Sequence, residues 1–178
     1  MKERPILFSG PMVRALLAGT KTQTRRIFKP DRMTWDANGR YTTYAMRGGE
    51  LSTTGSGPFK PSSWLHYCPY GQPGEDRIYV RETWAAPHAY DHLPPRLIPQ
   101  DARIHYAATE DRGGLLWRPS IHMPRWASRI TLEVTGVRVE RLHACNEVDA
   151  IAEGAPWAAC GAPQGGSHKA GFAQLWEQ

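Results

Sequence analysis

The 178-residue sequence has only three cysteines, Cys68, Cys145 and Cys160, and none of them belongs to a C-x-x-C pair. This number and spacing argue against a disulfide framework and against a zinc ribbon. No apolar run is long enough to cross a bilayer, and the first ten residues lack the hydrophobic region of a signal peptide. We therefore expect a cytoplasmic protein with reduced thiols and no membrane association.

Lysine is also scarce, because 17 of the 22 basic residues are arginine and only five are lysine. The formal net charge of +5 is unevenly distributed, since residues 1–40 hold nine Lys or Arg against three Asp or Glu. A localised positive region favours a phosphate-bearing or polyanionic ligand. The histidines and cysteines have no metal-ligand spacing, and neither a P-loop nor G-x-G-x-x-G occurs. We expect neither a metal nor a cofactor.

Local patterns predict short strands with small helices between them. The stretch SGPMVRALLAG predicts a helix that Ser9 caps and Gly19 ends, which leaves residues 20–26 in a loop or at the start of a strand. The pair Asn38-Gly39 predicts a hairpin turn, and the Gly- and Ser-rich residues 48–63 predict a surface loop. Two further strands are expected within YGQPGEDRIYVRETW and SRITLEVTGVRVERL, and two helices within NEVDAIAEGAPW and HKAGFAQLWEQ. This pattern indicates one α+β domain built as a compact β-barrel.

Lys21 and Thr24 stand three residues apart and are followed at once by Arg25 and Arg26. Repulsion from the two guanidinium groups lowers the pKa of a neighbouring lysine, and a neutral amine can accept a hydroxyl proton. The spacing is therefore compatible with a threonine nucleophile beside a lysine base. An ordinary basic turn explains the same spacing, and from the spacing alone it is the simpler interpretation.

The residues Gly19-x-Lys21-x-x-Thr24-x-Arg26 match G-x-K-x-x-[TE]-x-R, and the chain therefore resembles the ASCH domain family, whose fold is a PUA-like β-barrel. The P-G-D-like turn, the strand near residue 130 and the helix NEVDAIAEG resemble later segments of the family. WRPSIHMPRWASRI looks like the larger phage- and prophage-encoded members. Residues 30–70 stand as an insertion, and the sequence ends at LWEQ without the last apolar strand that members usually have.

A small bacterial member of this family is an N(4)-acetylcytidine amidohydrolase. The resemblance implies a threonine nucleophile, a lysine base and an assisting glutamate, which fall on Thr24, Lys21 and Glu153. Glu147 lies nearby, but its place in the first turn of a helix has a structural reason. Arg26 is expected to hold an oxyanion or a phosphate. The implied substrate is an N(4)-acylated cytidine or a related modified nucleoside.

Two alternatives stay open: a non-catalytic RNA-binding module, with ribonuclease activity as a variant, and a structural phage protein. The positive and aromatic residues that could hold a phosphate or stack on a base are Arg25, Arg26, Arg81, Trp117, Arg118 and Arg125. Trp117 is equally compatible with a core position, and the arginines with a surface position. Arg81 and Glu82 could line a pocket, although a structural ion pair is the simpler interpretation.

Overall fold

The computed structural model describes residues 2–26, 32–35, 41–44, 52–55, 68, 70–71, 73–111, 113–138, 140, 142–159 and 165–176. Within these ranges the α-helices are Gly10–Leu17 (α1), Glu147–Ala152 (α2) and His168–Trp176 (α3). The strands there are, in chain order, Lys2–Leu7 (β1), Arg32–Trp35 (β2), Tyr41–Tyr44 (β3), Ser52–Gly55 (β4), Asp76–Arg81 (β5), Trp84–Ala85 (β6), His105–Tyr106 (β7), Thr131–Glu133 (β8), Ala158–Ala159 (β9) and Gly166–Ser167 (β10).

The sheet that positions the candidate site has the strand order β1-β5-β8. β1 runs parallel to β5, with Leu7 opposite Arg81, and β8 pairs antiparallel to the other edge of β5. Helix α1 contributes its buried residue Val13 to the core that this sheet covers. That core consists of Ile6, Phe8, Val13, Val80 and Ala108. The end of β1, the end of β5 and the residues after α1 therefore lie around one apolar cluster.

Three further small sheets complete the described structure. β2, β3 and β4 form an antiparallel sheet in which Trp35 pairs with Tyr41. The two strands of the predicted hairpin are thus confirmed, while the Asn38-Gly39 turn itself lies outside the described residues. The prediction of a loop at residues 48–63 is wrong for Ser52–Gly55, because these residues pair with β3. The other two sheets are β6 with β7 and β9 with β10.

The chain is a small α+β protein, and the strands placed by the structure form four separate sheets without a closed barrel among them. Of the described residues within 128–142, where a strand was predicted, Thr131–Glu133 form one and pair with β5. Val134 is still bonded, because its carbonyl accepts the N–H of Gly74. Residues 73–75 are a turn, so the partner strand begins only at Asp76 and offers nothing for residues beyond Val134 to pair with.

The first two helices begin and end close to the predicted residues. Pro11 occupies the first turn of α1, and Gly19, with a φ of 72°, follows its end. Ser9 stands at the N-cap, but its side chain makes no capping hydrogen bond. The side chain of Asn146 caps α2 by accepting the N–H of Asp149, and Gly154 ends that helix with a φ of 73°. No helix in the described ranges is long and apolar enough to cross a membrane.

Candidate functional site

Residues 21–26 are held against the carboxyl end of α2 by backbone hydrogen bonds. The N–H groups of Thr22 and Gln23 both donate to the carbonyl of Ala152, at 2.7 and 2.9 Å. The N–H of Lys21 donates to the carbonyl of Ala15 at 3.1 Å, so the start of the segment is also attached to α1. These contacts bring Lys21 next to Glu153, which lies 132 positions later in the sequence.

Lys21 and Glu153 form a buried ion pair. The Lys21 Nζ donates to the Oε2 of Glu153 at 2.9 Å, to the carbonyl of Glu153 at 2.7 Å and to the carbonyl of Gln23 at 2.7 Å. Only 1% of the Lys21 side chain and 7% of the Glu153 side chain are exposed. An ammonium group has three N–H donors, and all three are used here.

Burial is the main cause of a lowered pKa at Lys21. The hydrogen bond and the charge of Glu153 oppose this shift, while Arg26 and Arg25 add to it. A lowered pKa of Lys21 was also expected from the sequence, with Arg25 and Arg26 as its cause. In the structure they are the smaller cause, because removal of the amine from water has the larger effect.

Thr24 lies in the same segment, and its hydroxyl oxygen is buried without a hydrogen-bond partner among the described residues. It therefore makes no hydrogen bond to Lys21 in this structure. A buried hydroxyl normally finds a partner, so an unpaired one in the segment that carries Lys21 is notable. Such a group is free to donate to a bound molecule or to react with one.

The Glu153 carboxylate also belongs to a larger charged network. Arg25 bonds to the carboxylate of Glu140, approaches Glu153 Oε1 at 3.3 Å and approaches Asp149 Oδ1 at 3.4 Å. Arg138 adds a 2.7 Å bond to Asp149 Oδ1 and a 3.1 Å contact to Glu140 Oε2. Arg25, predicted to bind substrate or phosphate, is thus engaged by carboxylates.

Three members of this network, Arg138, Glu140 and Asp149, were not singled out in the sequence. The sequence does contain a signal for Asp149, because this residue completes a reciprocal capping box with Asn146. No comparable sequence pattern marks Arg138 or Glu140. Glu147 accepts the N–H groups of His168 and Lys169 at the start of α3, which supports the structural interpretation of that residue.

A cavity of about 350 Å³ opens beside the ends of β1 and β5. Arg26 and Arg81 line it together with apolar and aromatic residues, which include Pro5, Leu7, Tyr70 and Ile121. The Phe8 ring connects this cavity to the buried pair, because its centroid lies 5.8 Å from the Arg26 guanidinium carbon and 5.4 Å from the Lys21 Nζ. Two of the predicted phosphate-binding residues therefore share one cavity.

The remaining predicted binding residues make other contacts. Arg118 donates to the carbonyls of Tyr90 and Asp91, at 3.0 and 3.2 Å. Arg125 holds Glu3 by two hydrogen bonds, at 2.6 and 2.8 Å. Trp117 is half-buried. None of Trp117, Arg118 and Arg125 lines the Arg26 cavity, so their predicted role in binding stays a prediction.

Glu82 is 1% exposed and has a structural ion pair, but its partner is Arg129 and not the adjacent Arg81. The two bonds from Arg129 to the Glu82 carboxylate measure 2.8 and 3.0 Å. Arg81 is therefore left without this carboxylate.

No family model matches the chain, and no curated protein or solved structure matches it. Over the part of the chain that the structure describes, no group of three or more His, Cys, Asp or Glu side chains could hold a metal ion.

Proposed function

We propose that the chain is an amidohydrolase with a PUA-like ASCH fold, and that it removes the acyl group from N(4)-acylated cytidine or a related modified nucleoside. The observation that carries the proposal is the buried contact between Lys21 and Glu153, together with the unpaired hydroxyl of Thr24 in the segment that carries Lys21. These are the three residues to which the sequence resemblance assigns the chemistry. The lowered pKa of Lys21 supports the same assignment, because it eases formation of the neutral amine that a general base requires.

In the proposed reaction the Thr24 oxygen forms a bond to the amide carbonyl carbon while its proton passes to the neutral amine of Lys21. The carbon–nitrogen bond then breaks, and the cytidine amine leaves with a proton from the Lys21–Glu153 pair. Water hydrolyses the acyl ester on Thr24 and releases the carboxylic acid. Arg26 is the cation that stabilises the oxyanion or holds a neighbouring anionic group.

This chemistry requires two changes from the described state. The neutral amine of Lys21 has two N–H donors, so one of its three present contacts must be released to make the lone pair available. The Thr24 hydroxyl is covered as well, so substrate binding must displace part of the segment 21–26. That segment has no regular secondary structure, and such segments commonly open at lower cost than helices or paired strands.

The test is incubation with N(4)-acetylcytidine, with cytidine and acetate as the products identified by mass. Thr24→Ala should abolish turnover. Lys21→Arg should abolish it to a similar extent, because arginine keeps the charge but does not deprotonate, and base and nucleophile act as one unit. The expected loss is about 100-fold to 10,000-fold. An active Lys21→Arg variant would remove the base role.

The second candidate is an RNA-binding module without catalysis, which the Arg26 and Arg81 cavity and the excess positive charge of residues 1–40 favour. Binding to a polymer releases counterions, so affinity for a short RNA should fall steeply between low and physiological salt. If no RNA binds even at low salt, this candidate is eliminated.

A further inference from the structure

The guanidinium groups of Arg26 and Arg81 differ from those of Arg25, Arg125 and Arg129, each of which is bonded to a carboxylate. Among the described residues, Arg26 donates to the backbone carbonyls of Arg25 and Leu7, at 3.0 and 3.4 Å. No carboxylate in the described ranges makes an ion pair with either Arg26 or Arg81. Two full positive charges thus line the same cavity, and no carboxylate of the described residues neutralises them.

Arg81 is held in place by neutral groups. Its Nη1 donates to the carbonyl of Ile121 at 3.2 Å, its Nη2 donates to the Tyr79 hydroxyl at 3.2 Å, and its guanidinium carbon lies 5.5 Å from the Tyr79 ring centroid. Its Nε is buried without a partner among the described residues. An arginine that is positioned by neutral partners and keeps unused donors is prepared to bind an anion, since little side-chain entropy remains to be lost.

The backbone brings the two arginines together. Leu7 pairs with Arg81 across β1 and β5, and its carbonyl accepts a bond from Arg26. The cavity volume of about 350 Å³ lies at the lower end of the range for small-molecule sites. Guanidinium groups bind phosphate oxygens with two parallel hydrogen bonds, so a pair of them favours a phosphate ester over a neutral sugar.

We infer that this cavity binds a phosphate ester of the ligand, with Arg26 and Arg81 as its donors, and that the preferred ligand is a nucleotide and not a free nucleoside. The inference rests on the proposed function for the cytidine part of that ligand. The phosphate can come from a nucleoside monophosphate or from an RNA backbone, which share this chemistry. Arg81 thereby becomes a residue that determines specificity.

The experiment measures equilibrium binding by calorimetry and needs no turnover. Cytidine, cytidine 5′-monophosphate and a cytidine trinucleotide without a terminal phosphate are titrated into the full chain. We expect the monophosphate or the trinucleotide to bind about 10-fold to 100-fold more tightly than cytidine. Preference for the monophosphate identifies a phosphate monoester as the ligand, and preference for the trinucleotide identifies a backbone diester. Equal affinity for all three ligands, or binding of none, would overturn the inference.

Arg81→Gln and Arg26→Gln should each reduce the preference for the phosphorylated ligand, and Arg77→Gln is the matched control. Arg77 lies on the same strand β5 but is exposed and does not line the cavity, so its substitution should keep the preference. If Arg81→Gln does not fold, Arg81→Lys still loses the bidentate geometry and must still weaken phosphate binding. An unchanged preference in the folded Arg81 variant would contradict the inference. Failure of N(4)-acetylcytidine hydrolysis with intact phosphate selectivity would overturn only the proposed function.

Discussion

The substitution Lys21→Met tests the energetic role of the buried ion pair. Methionine retains a long unbranched side chain but removes the ammonium group. The Glu153 carboxylate, 7% exposed, then loses its 2.9 Å partner and keeps Arg25 at 3.3 Å as its charged neighbour. Removing one partner of a buried pair typically costs 3–5 kcal/mol, because a charge stays buried without compensation. Since Arg25 remains, we expect a loss of about 3 kcal/mol in the free energy of unfolding.

Urea denaturation measures this loss. For a slope of about 1–3 kcal/mol per molar urea, the midpoint should fall by at least about 1 M. The double variant Lys21→Met/Glu153→Leu removes both charges and should lose about 1–3 kcal/mol less than the two single variants together.

The matched control is Arg125→Met. Arg125 holds Glu3 at 2.6 and 2.8 Å, so its bonds are at least as short, but both side chains are close to 40% exposed. Solvent screens an exposed pair, and its loss should therefore shift the urea midpoint much less. If Lys21→Met shifts the midpoint no more than Arg125→Met does, burial of the pair does not have the energetic consequence argued here.

Three further outcomes are expected. The rate of N(4)-acetylcytidine hydrolysis should rise with pH as Lys21 loses its proton, and a rate independent of pH would contradict a lysine base. The pKa of folded Lys21 lies below its ordinary value of 10.5, so between these two pH values the unfolded chain binds more protons than the folded chain. The Lys21 contribution to stability should therefore rise with pH in that window. Urea titrations of Lys21→Met at several pH values should lack this rise. Gly154→Ala should destabilise the protein more than Gly19→Ala in urea titrations, and equal losses would contradict the packing argument. Both glycines have positive φ angles, but a Cβ at Gly154 would lie 2.9 Å from that of Ala15, whereas one at Gly19 meets no atom within 4 Å.

The elements that carry local signals could be predicted from the sequence. Caps and a terminal glycine indicated α2, and the helix before Lys21 was found in the same way. The alternation of Ile130, Leu132 and Val134 predicted the strand near residue 130, but the length of a strand also depends on its partner. Where β5 begins is set by the turn at residues 73–75, and no pattern within 128–142 contains that information.

Which residues come together at the candidate site was harder to predict from the sequence. Arg26 and Arg81 were both predicted to bind phosphate, but their common cavity depends on the parallel register of β1 and β5, whose partners lie 74 residues apart. Parallel pairing leaves no turn signal in the sequence. The contacts of Arg138 and Glu140 depend likewise on how residues far from the segment 21–26 fold back onto it.

Two buried glutamates in this protein are neutralised in different ways, and the difference bears on function. Glu82 is held by the two parallel bonds of Arg129, a group that stays protonated at any working pH. Glu153 is approached by Arg25 at 3.3 Å, but its shortest ion pair, at 2.9 Å, is with Lys21, although arginine outnumbers lysine 17 to five in the chain. A structural need for a cation is met by either residue, and an apolar pair of the same size would often be as stable. A lysine at the more buried cation position, with its pKa lowered by that burial, is the choice that permits proton transfer. We therefore favour chemistry over scaffolding as the reason that Lys21 and Glu153 face each other.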